Sequence, residues 1–298
     1  MNTKRRLLII GAGDVAQRVA RQLGGRYRLF ALVRQAESAQ IWRALGARPI
    51  IGDLDATDSL RRLAGVADIV LHCAPPPATG NADPRTRRLL AALGRGQSLP
   101  CGLIYISTTG VYGDCRGALI DETRQPHPTT PRARRRIAAE KSLRAFGARC
   151  GVPVAILRAP GIYASDRLPL DRLRRADPVL RQGEDVFTNH IHAEDLAAAA
   201  IRAITRAAPG RVYNAVDHSD MPMGDFYDLL ADSFALPRPP RMTRLECAAR
   251  LGPATLSFMS ESRRIANNRL VRELGVRLRY PSVADGIRAA VDARSKSR

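Results

Sequence analysis

The chain has 298 residues, 45% of them apolar, and a formal net charge of +20. That length suits one large α/β domain with a smaller lobe, or two domains, and the apolar content points to a globular chain; no apolar run approaches the roughly 18 residues of a membrane span. The five cysteines include no C-x-x-C pair, so neither a disulfide framework nor a zinc site is suggested.

The positive charge is almost all arginine, since Lys4, Lys141 and Lys296 are the only lysines. The arginines are scattered among acids, aromatics are 5%, and no nucleic-acid motif appears. A nucleic-acid partner is therefore not expected, although the charge should draw anionic ligands, nucleotide cofactors included. The basic amino terminus runs straight into an apolar segment without a small-residue cleavage site. It reads as a strand lead-in and not a signal peptide, and a cytoplasmic location is expected.

Lys4 to Ile10 reads as a strand, Gly11-Ala12-Gly13 as a tight turn, and Asp14 onward as a helix with Val15, Ala16, Val19, Ala20 and Leu23 at helical spacing. In such a unit Gly11 permits the turn, Gly13 lets a pyrophosphate approach the backbone, and Ala16 lets helix and strand pack closely. The free amides of Asp14 and Val15 at the helix start would hold the phosphates. A second strand, Arg28 to Val33, ends in Arg34, which lies 21 residues after Gly13. The residue about 20 positions on reads the adenosine ribose; an arginine there would pair with a 2′-phosphate and favour NADP, with NAD as the alternative. A solvated strand end is the other reading of Arg34.

Arg48 to Ile51 is a third strand, and Asp53 leaves it, placed either to accept from an adenine amino group or to cap the next helix. Ala67 to Ala74 is a fourth strand, apolar enough to be buried on both faces. Its carboxyl end, Ala74, should face the cofactor crevice, with Cys73 beside it. His72 in this strand is read as a packed residue or, less simply, a catalytic one. Leu103 to Ser107 is a fifth strand running into Thr108, Thr109, Gly110, Val111, Tyr112 and Gly113. Hydroxyls at such a strand end can bond a substrate carbonyl or alkoxide. A helix from Arg132 to Phe146 and a sixth strand from Val152 to Arg158 follow.

The glycine turn, Ser107-Thr-Thr-Gly-Val-Tyr-Gly113, Leu157-Arg-Ala-Pro-Gly-Ile-Tyr163 and Ile191-His-Ala-Glu-Asp-Leu-Ala197 fall in an order that resembles the extended short-chain dehydrogenase/reductase superfamily, in its epimerase/dehydratase branch. The ending, Arg264-Ile-Ala-Asn267, Leu274-Gly275 and Tyr280-Pro281, is similar to an atypical bacterial subgroup of that branch. The resemblance implies a Rossmann-like, doubly wound parallel sheet with a small C-terminal substrate lobe. Residues 1–165 and about 190–217 would form the nucleotide-binding domain, and 166–189 with 218–298 the lobe. It also implies a catalytic Ser/Thr after the fifth strand, matched by Thr108, and a nicotinamide pocket lined by the backbone from Pro160 to Tyr163.

The departure from the family pattern lies in its Tyr-x-x-x-Lys pair. Aligned on Ala138-Ala139-Glu140, the tyrosine position holds Arg132 and the lysine position holds Arg136. Arginine is effectively always protonated, so Arg132 cannot shuttle the proton that a tyrosine would. Arg136 can still donate to ribose hydroxyls and add positive potential, or can be one more exposed arginine. Tyr112 is the best-placed substitute proton donor, with Tyr163 second; the other reading is that both merely pack, with water relaying the proton in place of Tyr112. His190 is placed to reach substrate and His192 to position its loop; with no third ligand, no metal site is expected.

Residues 166–189 and 218–281 carry Arg172, Arg174, Arg175, Arg181, Arg263 and Arg264, so the lobe either meets an anionic or nucleotide-linked small molecule or presents a basic solvated face. The last helix, Val283 to Ala293, is expected to pack back on the body, and the Lys/Arg/Ser tail to be disordered. The function expected is an NADP-dependent oxidoreductase, epimerase or dehydratase of altered mechanism, in which Thr108 polarises the substrate oxygen, Arg136 holds the ribose and Tyr112 or water relays the proton. The alternative is a non-catalytic dinucleotide-binding sensor or scaffold.

Overall fold

The computed structural model describes residues 4–295. The central sheet has seven strands: β1 (Arg6–Ile10), β2 (Arg28–Val33), β3 (Arg48–Ile51), β4 (Ile69–His72), β5 (Gly102–Thr108), β6 (Val154–Ala159) and β7 (Val212–Asn214). All neighbours are parallel, in the order β7-β6-β5-β4-β1-β2-β3. Alternate side chains feed two separate cores, as a sheet covered on both faces requires. In β1, Leu7 and Ile9 enter one core and Leu8 and Ile10 the other, and all four are fully buried.

Among the described residues, five longer helices flank the sheet. On the first face lie α1 (Asp14–Leu23) and α2 (Ala36–Ala44), with Val19, Leu23 and Trp42 buried. On the second face lie α3 (Pro84–Leu93) and α4 (Pro131–Cys150), which bury Leu89, Leu93, Leu143 and Phe146. On the first face again is α5 (Ala193–Arg206), whose alanines at 197, 199, 200 and 203 allow close approach to α1 and the sheet. Thr130 caps α4 by accepting from the Ala133 amide at 3.2 Å, and Pro131 opens it. The strand order reverses direction between β1 and β4, and the carboxyl ends of these strands open the crevice where such sheets bind ligands.

The sixth strand starts at Val154 and not at Val152, and α4 runs on to Cys150. After β6 a short strand, Gly161–Tyr163, pairs in parallel with His190–His192. A third core holds the lobe together: Leu170, Leu173, Val179, Leu180, and Phe226 and Leu230 of α6 (Met223–Ser233). The last helix, α7 (Val283–Ser295), sends Val283 and Ile287 into this lobe core, and not onto the sheet. Conversely, Leu270, Leu274 and Val276 pack in the first sheet core, so the chain from 218 onward does not all stay in the lobe. The basic tail from 296 lies outside the described residues.

Candidate functional site

The turn after β1 lies hard against the end of β4. Gly11 has φ +90°, and a Cβ there would meet the Ala74 nitrogen at 2.3 Å. Gly13 has open space where its side chain would be. No side chain caps α1, and its first internal bond runs from the Gln17 amide to the Gly13 carbonyl at 3.0 Å. The amides of Asp14, Val15 and Ala16 are therefore left without helical partners, at the positive end of the helix dipole. The Asp14 carboxylate is engaged elsewhere, with Arg18 Nε at 3.0 Å and Arg167 Nη1 at 3.1 Å. Burial would raise the Asp14 carboxyl, but hydrogen bonds from Arg18 and Arg167 outweigh it and hold the group below its ordinary value.

These residues line a crevice of about 510 Å³, which also takes in Arg34, Asp53, Cys73 and Ala74. Arg34 is exposed at its rim and makes no hydrogen bond or ion pair with any described residue. Asp53 Oδ1 accepts from the Asp55 amide at 2.9 Å, a local turn contact, while Ser59 Oγ accepts from its backbone amide at 2.8 Å. Burial pushes the Cys73 thiol up to about 12, with Arg136 opposing, so it stays a thiol. His72 Nε2 and Thr86 Oγ1 lie 2.8 Å apart, and Thr86 donates to Asp83 at 2.6 Å. Since Thr86 gives its proton to Asp83, His72 carries its own on Nε2; buried and pushed down to about 3, it is a packed residue.

A second cavity of about 470 Å³ shares Pro75, Ile162 and Arg167 with the first, so the two form one crevice. Thr108, Arg136 and Pro160 all line it. Thr108 Oγ1 accepts from the Gly110 amide at 3.2 Å, which leaves its own O–H to donate. Arg136 Nη1 donates to the Tyr105 hydroxyl and to the Ile106 carbonyl, each at 2.9 Å. Arg132 lines the same space, stacked 4.1 Å over Phe258. Five arginines border the cavity (132, 135, 136, 167 and 263), with Glu261 as the one described carboxylate. No described tyrosine, histidine, lysine or cysteine lines it.

The expectation for Tyr112 is corrected. Its side chain is 1% exposed, and its hydroxyl donates to Asn214 Oδ1 at 2.8 Å, away from the cavity lining. The turn at Thr109–Tyr112 carries the ring into a buried cluster with Val111, Ile120 and Ile265. Burial raises the phenol, with Arg158 opposing. Tyr163 is also buried, donating to the Ser282 carbonyl at 3.2 Å, and burial raises it too. His190 is buried and stacked on Phe226 at 4.4 Å, and does not line the second cavity. His192 Nδ1 accepts from the Glu194 amide at 3.2 Å and so caps α5.

The lobe arginines singled out in the sequence are mostly spent on neighbours. Arg174 pairs with Asp171, Arg175 with Asp177 and Arg181 with Glu184. Only Arg263 of that set reaches the cavity; the rest of its positive lining comes from α4 and Arg167. A buried ion pair beside Thr108's neighbour Ser107 was missed from the sequence. Arg158 donates to Glu140 at 3.1 and 2.7 Å, and Ser107 donates to Glu140 at 2.6 Å. Arg158 and Glu140 are 4% and 3% exposed. The readable signal was an arginine inside an apolar strand, which demands a buried partner.

The profile of the NAD dependent epimerase/dehydratase family matches residues 7–215. The chain belongs to this family. It is similar to the dTDP-D-glucose 4,6-dehydratase of Mus musculus, 28% identical over 119 residues, which is 37% of this chain but only 34% of that protein. It is also similar to the 4-hydroxy-2-methyl-3-oxo-4-farnesyl-3,4-dihydroquinoline-1-oxide ketoreductase of Stigmatella aurantiaca, 26% identical over 240 residues, covering 75% of this chain and 70% of that one. A solved structure described as a functionally unknown conserved protein from Silicibacter pomeroyi DSS superposes with a TM-score of 0.79 at 30% identity, covering 97% and 99% of the two chains. The family is NAD-dependent, and the uncapped α1, the open face of Gly13 and the crevice along β1, β2 and β4 fit a dinucleotide.

Proposed function

We propose that the protein is an NADP-dependent oxidoreductase for an anionic small molecule, working without a tyrosine proton shuttle. The observation that carries this reading is the continuity of two cavities, one with unbonded helix amides, the other with Thr108 and arginines. In the first, the amides of Gly13, Asp14 and Val15 would hold the diphosphate, with Gly11 and Ala74 shaping the floor. Asp53 stands where adenine would lie. The free Arg34 at the end of β2 would pair with a 2′-phosphate, which supports NADP over NAD. The nicotinamide, when bound, supplies or takes a hydride, and Pro160 lines the space it would occupy.

In the second cavity Thr108 donates a hydrogen bond to the substrate oxygen. Arg136, fixed by Tyr105 and Ile106, adds positive potential where negative charge grows on that oxygen. The arginines keep their protons, so the final proton comes from water. Epimerisation and dehydration need a base within reach of the substrate. Glu261, the cavity's carboxylate, is already bonded to Thr129 and Arg263. Reduction of a carbonyl makes the smaller demand, and the Stigmatella aurantiaca relative is a ketoreductase.

The lack of a proton-transfer group near neutral pH also favours a second reading, a dinucleotide-binding sensor that performs no chemistry. A screen of NADPH and NADH consumption over carbonyl compounds separates the two. Turnover that falls in Thr108→Val and Arg136→Gln supports the oxidoreductase. NADPH binding without consumption of any tested carbonyl supports the sensor.

A further inference from the structure

The start of α4 carries cations where a helix least tolerates them. Its first turn contains no acidic residue, although the amino end of a helix is already positive. Arg132, Arg135 and Arg136 stand at i, i+3 and i+4, the spacing at which like charges on one helix face repel. All three line the second cavity, and none makes an ion pair with a described residue. Arginines elsewhere on the chain are commonly paired, as Arg158 is with Glu140 and Arg211 with Glu273.

Two of these side chains are also held in place by neutral acceptors. Arg135 Nη1 donates to the Gly80 carbonyl at 2.8 Å, and Arg136 Nη1 to the Tyr105 hydroxyl and Ile106 carbonyl. Such contacts orient a guanidinium without neutralising it. Arg132 is oriented by Phe258 instead. Desolvation pushes the Arg132 guanidinium down, and Arg263, Arg136 and Arg135 push it further, with Glu261 opposing. Glu261 cannot discharge the group, because Thr129 and Arg263 already donate to it at 2.7 and 2.8 Å.

We infer that Arg132, Arg135 and Arg136 form a binding site for a phosphoryl group carried by the substrate. A dianion matches three oriented, unpaired guanidinium groups better than a single carboxylate does, and offers more acceptor oxygens to their forks. The inference rests on the reading of this cavity as the substrate site. It places the charged end of the substrate beside Thr108, on the helix where a tyrosine and a lysine would otherwise stand.

The test is calorimetric titration of inorganic phosphate into NADPH-saturated protein. Saturable binding is expected, weakened at least about tenfold in Arg132→Gln/Arg135→Gln, with NADPH affinity unchanged. Arg132→Gln alone trades relief of repulsion from Arg135 and Arg136 against loss of the Phe258 stacking, so it should melt close to wild type in phosphate-free buffer. A sugar monophosphate binding more tightly than pyrophosphate assigns the phosphoryl group to a simple ester, and the reverse order to a diphosphate; either keeps the site. Phosphate affinity unchanged in the double variant, or malonate binding more tightly than phosphate, overturns the inference. If NADPH fails to bind while phosphate affinity still depends on Arg132, the dinucleotide reading falls and the phosphoryl site stands.

Discussion

The backbone of Gly11 touches the backbone of Ala74: a Cβ on Gly11 would lie 2.3 Å from the Ala74 nitrogen, and 2.5 Å from its Cα. Only a glycine lets the β1 turn close over the end of β4 and leave the helix amides beside the crevice. Gly13, two residues on, meets nothing within 4 Å. The two glycines therefore answer to different demands, one set by the fold and one by a ligand.

Substitution separates them. Gly11→Ala combines a backbone clash with a positive φ and should cost about 2–4 kcal/mol, read as a lower urea midpoint. Gly13→Ala should leave stability within about 1 kcal/mol of wild type while sharply weakening dinucleotide binding. Equal stability in both variants would contradict the close contact seen between the turn and β4.

Arg34 stands at the rim of the dinucleotide crevice with no ion-pair partner among the described residues. Its replacement by aspartate should weaken NADPH by about 10- to 100-fold, the scale of a charge-assisted hydrogen bond. NADH should bind as well as before or better, because the new carboxylate accepts from a ribose hydroxyl. Fluorescence titration of both reduced coenzymes reads the ratio directly.

The Arg158–Glu140 pair is buried and tied to Ser107, the neighbour of Thr108. Removing one partner strands a charge, so Glu140→Leu should destabilise the fold by about 3–5 kcal/mol. The double variant Glu140→Leu/Arg158→Met should recover much of that loss, since an apolar pair of similar volume needs no hydrogen bonds. A double-mutant cycle in urea measures the coupling.

Three buried histidines set the acid limb of stability. Burial pushes His72 down to about 3, and His190 and His192 to about 4, helped by Arg136 at His72 and by Arg18 and Arg279 at His192. The unfolded chain binds protons at these sites from about pH 6.5 downward, and the fold refuses them. Their contribution is complete above about pH 6.5 and shrinks as pH falls towards 4. Asp217 works the other way: burial raises it to about 7, so its contribution is complete below about pH 4 and lost as pH rises through 7. Three groups outweigh one below pH 6.5. The urea midpoint should rise from about pH 5 to about pH 6.5; a fall over that interval would contradict the burial of the histidines.

The parts legible in sequence are those encoded locally. The β1 turn and α1 announce themselves by glycine spacing and a 3.6-residue apolar repeat, and Arg136 by its offset from Glu140. Contacts between distant segments were hidden. Tyr112 looked free because its loop follows Thr108, but the turn at Thr109–Tyr112 rotates the ring towards Asn214, 102 residues away. Glu140 appeared only as a helix residue, though it meets Arg158 and Ser107 from two strands. Arg174, Arg175 and Arg181 failed as a ligand signal because each has an acid two or three residues away, and the stripe at 132, 135 and 136 stayed hidden because Glu140, at i+4 from Arg136, is taken by Arg158 only in the fold.

Titration of the purified chain with NADPH, followed by fluorescence energy transfer or calorimetry, tests the account most directly. It predicts saturable one-to-one binding, tighter than that of NADH, and sharply weakened in Gly13→Ala. No binding of either coenzyme, reduced or oxidised, by folded protein would contradict it.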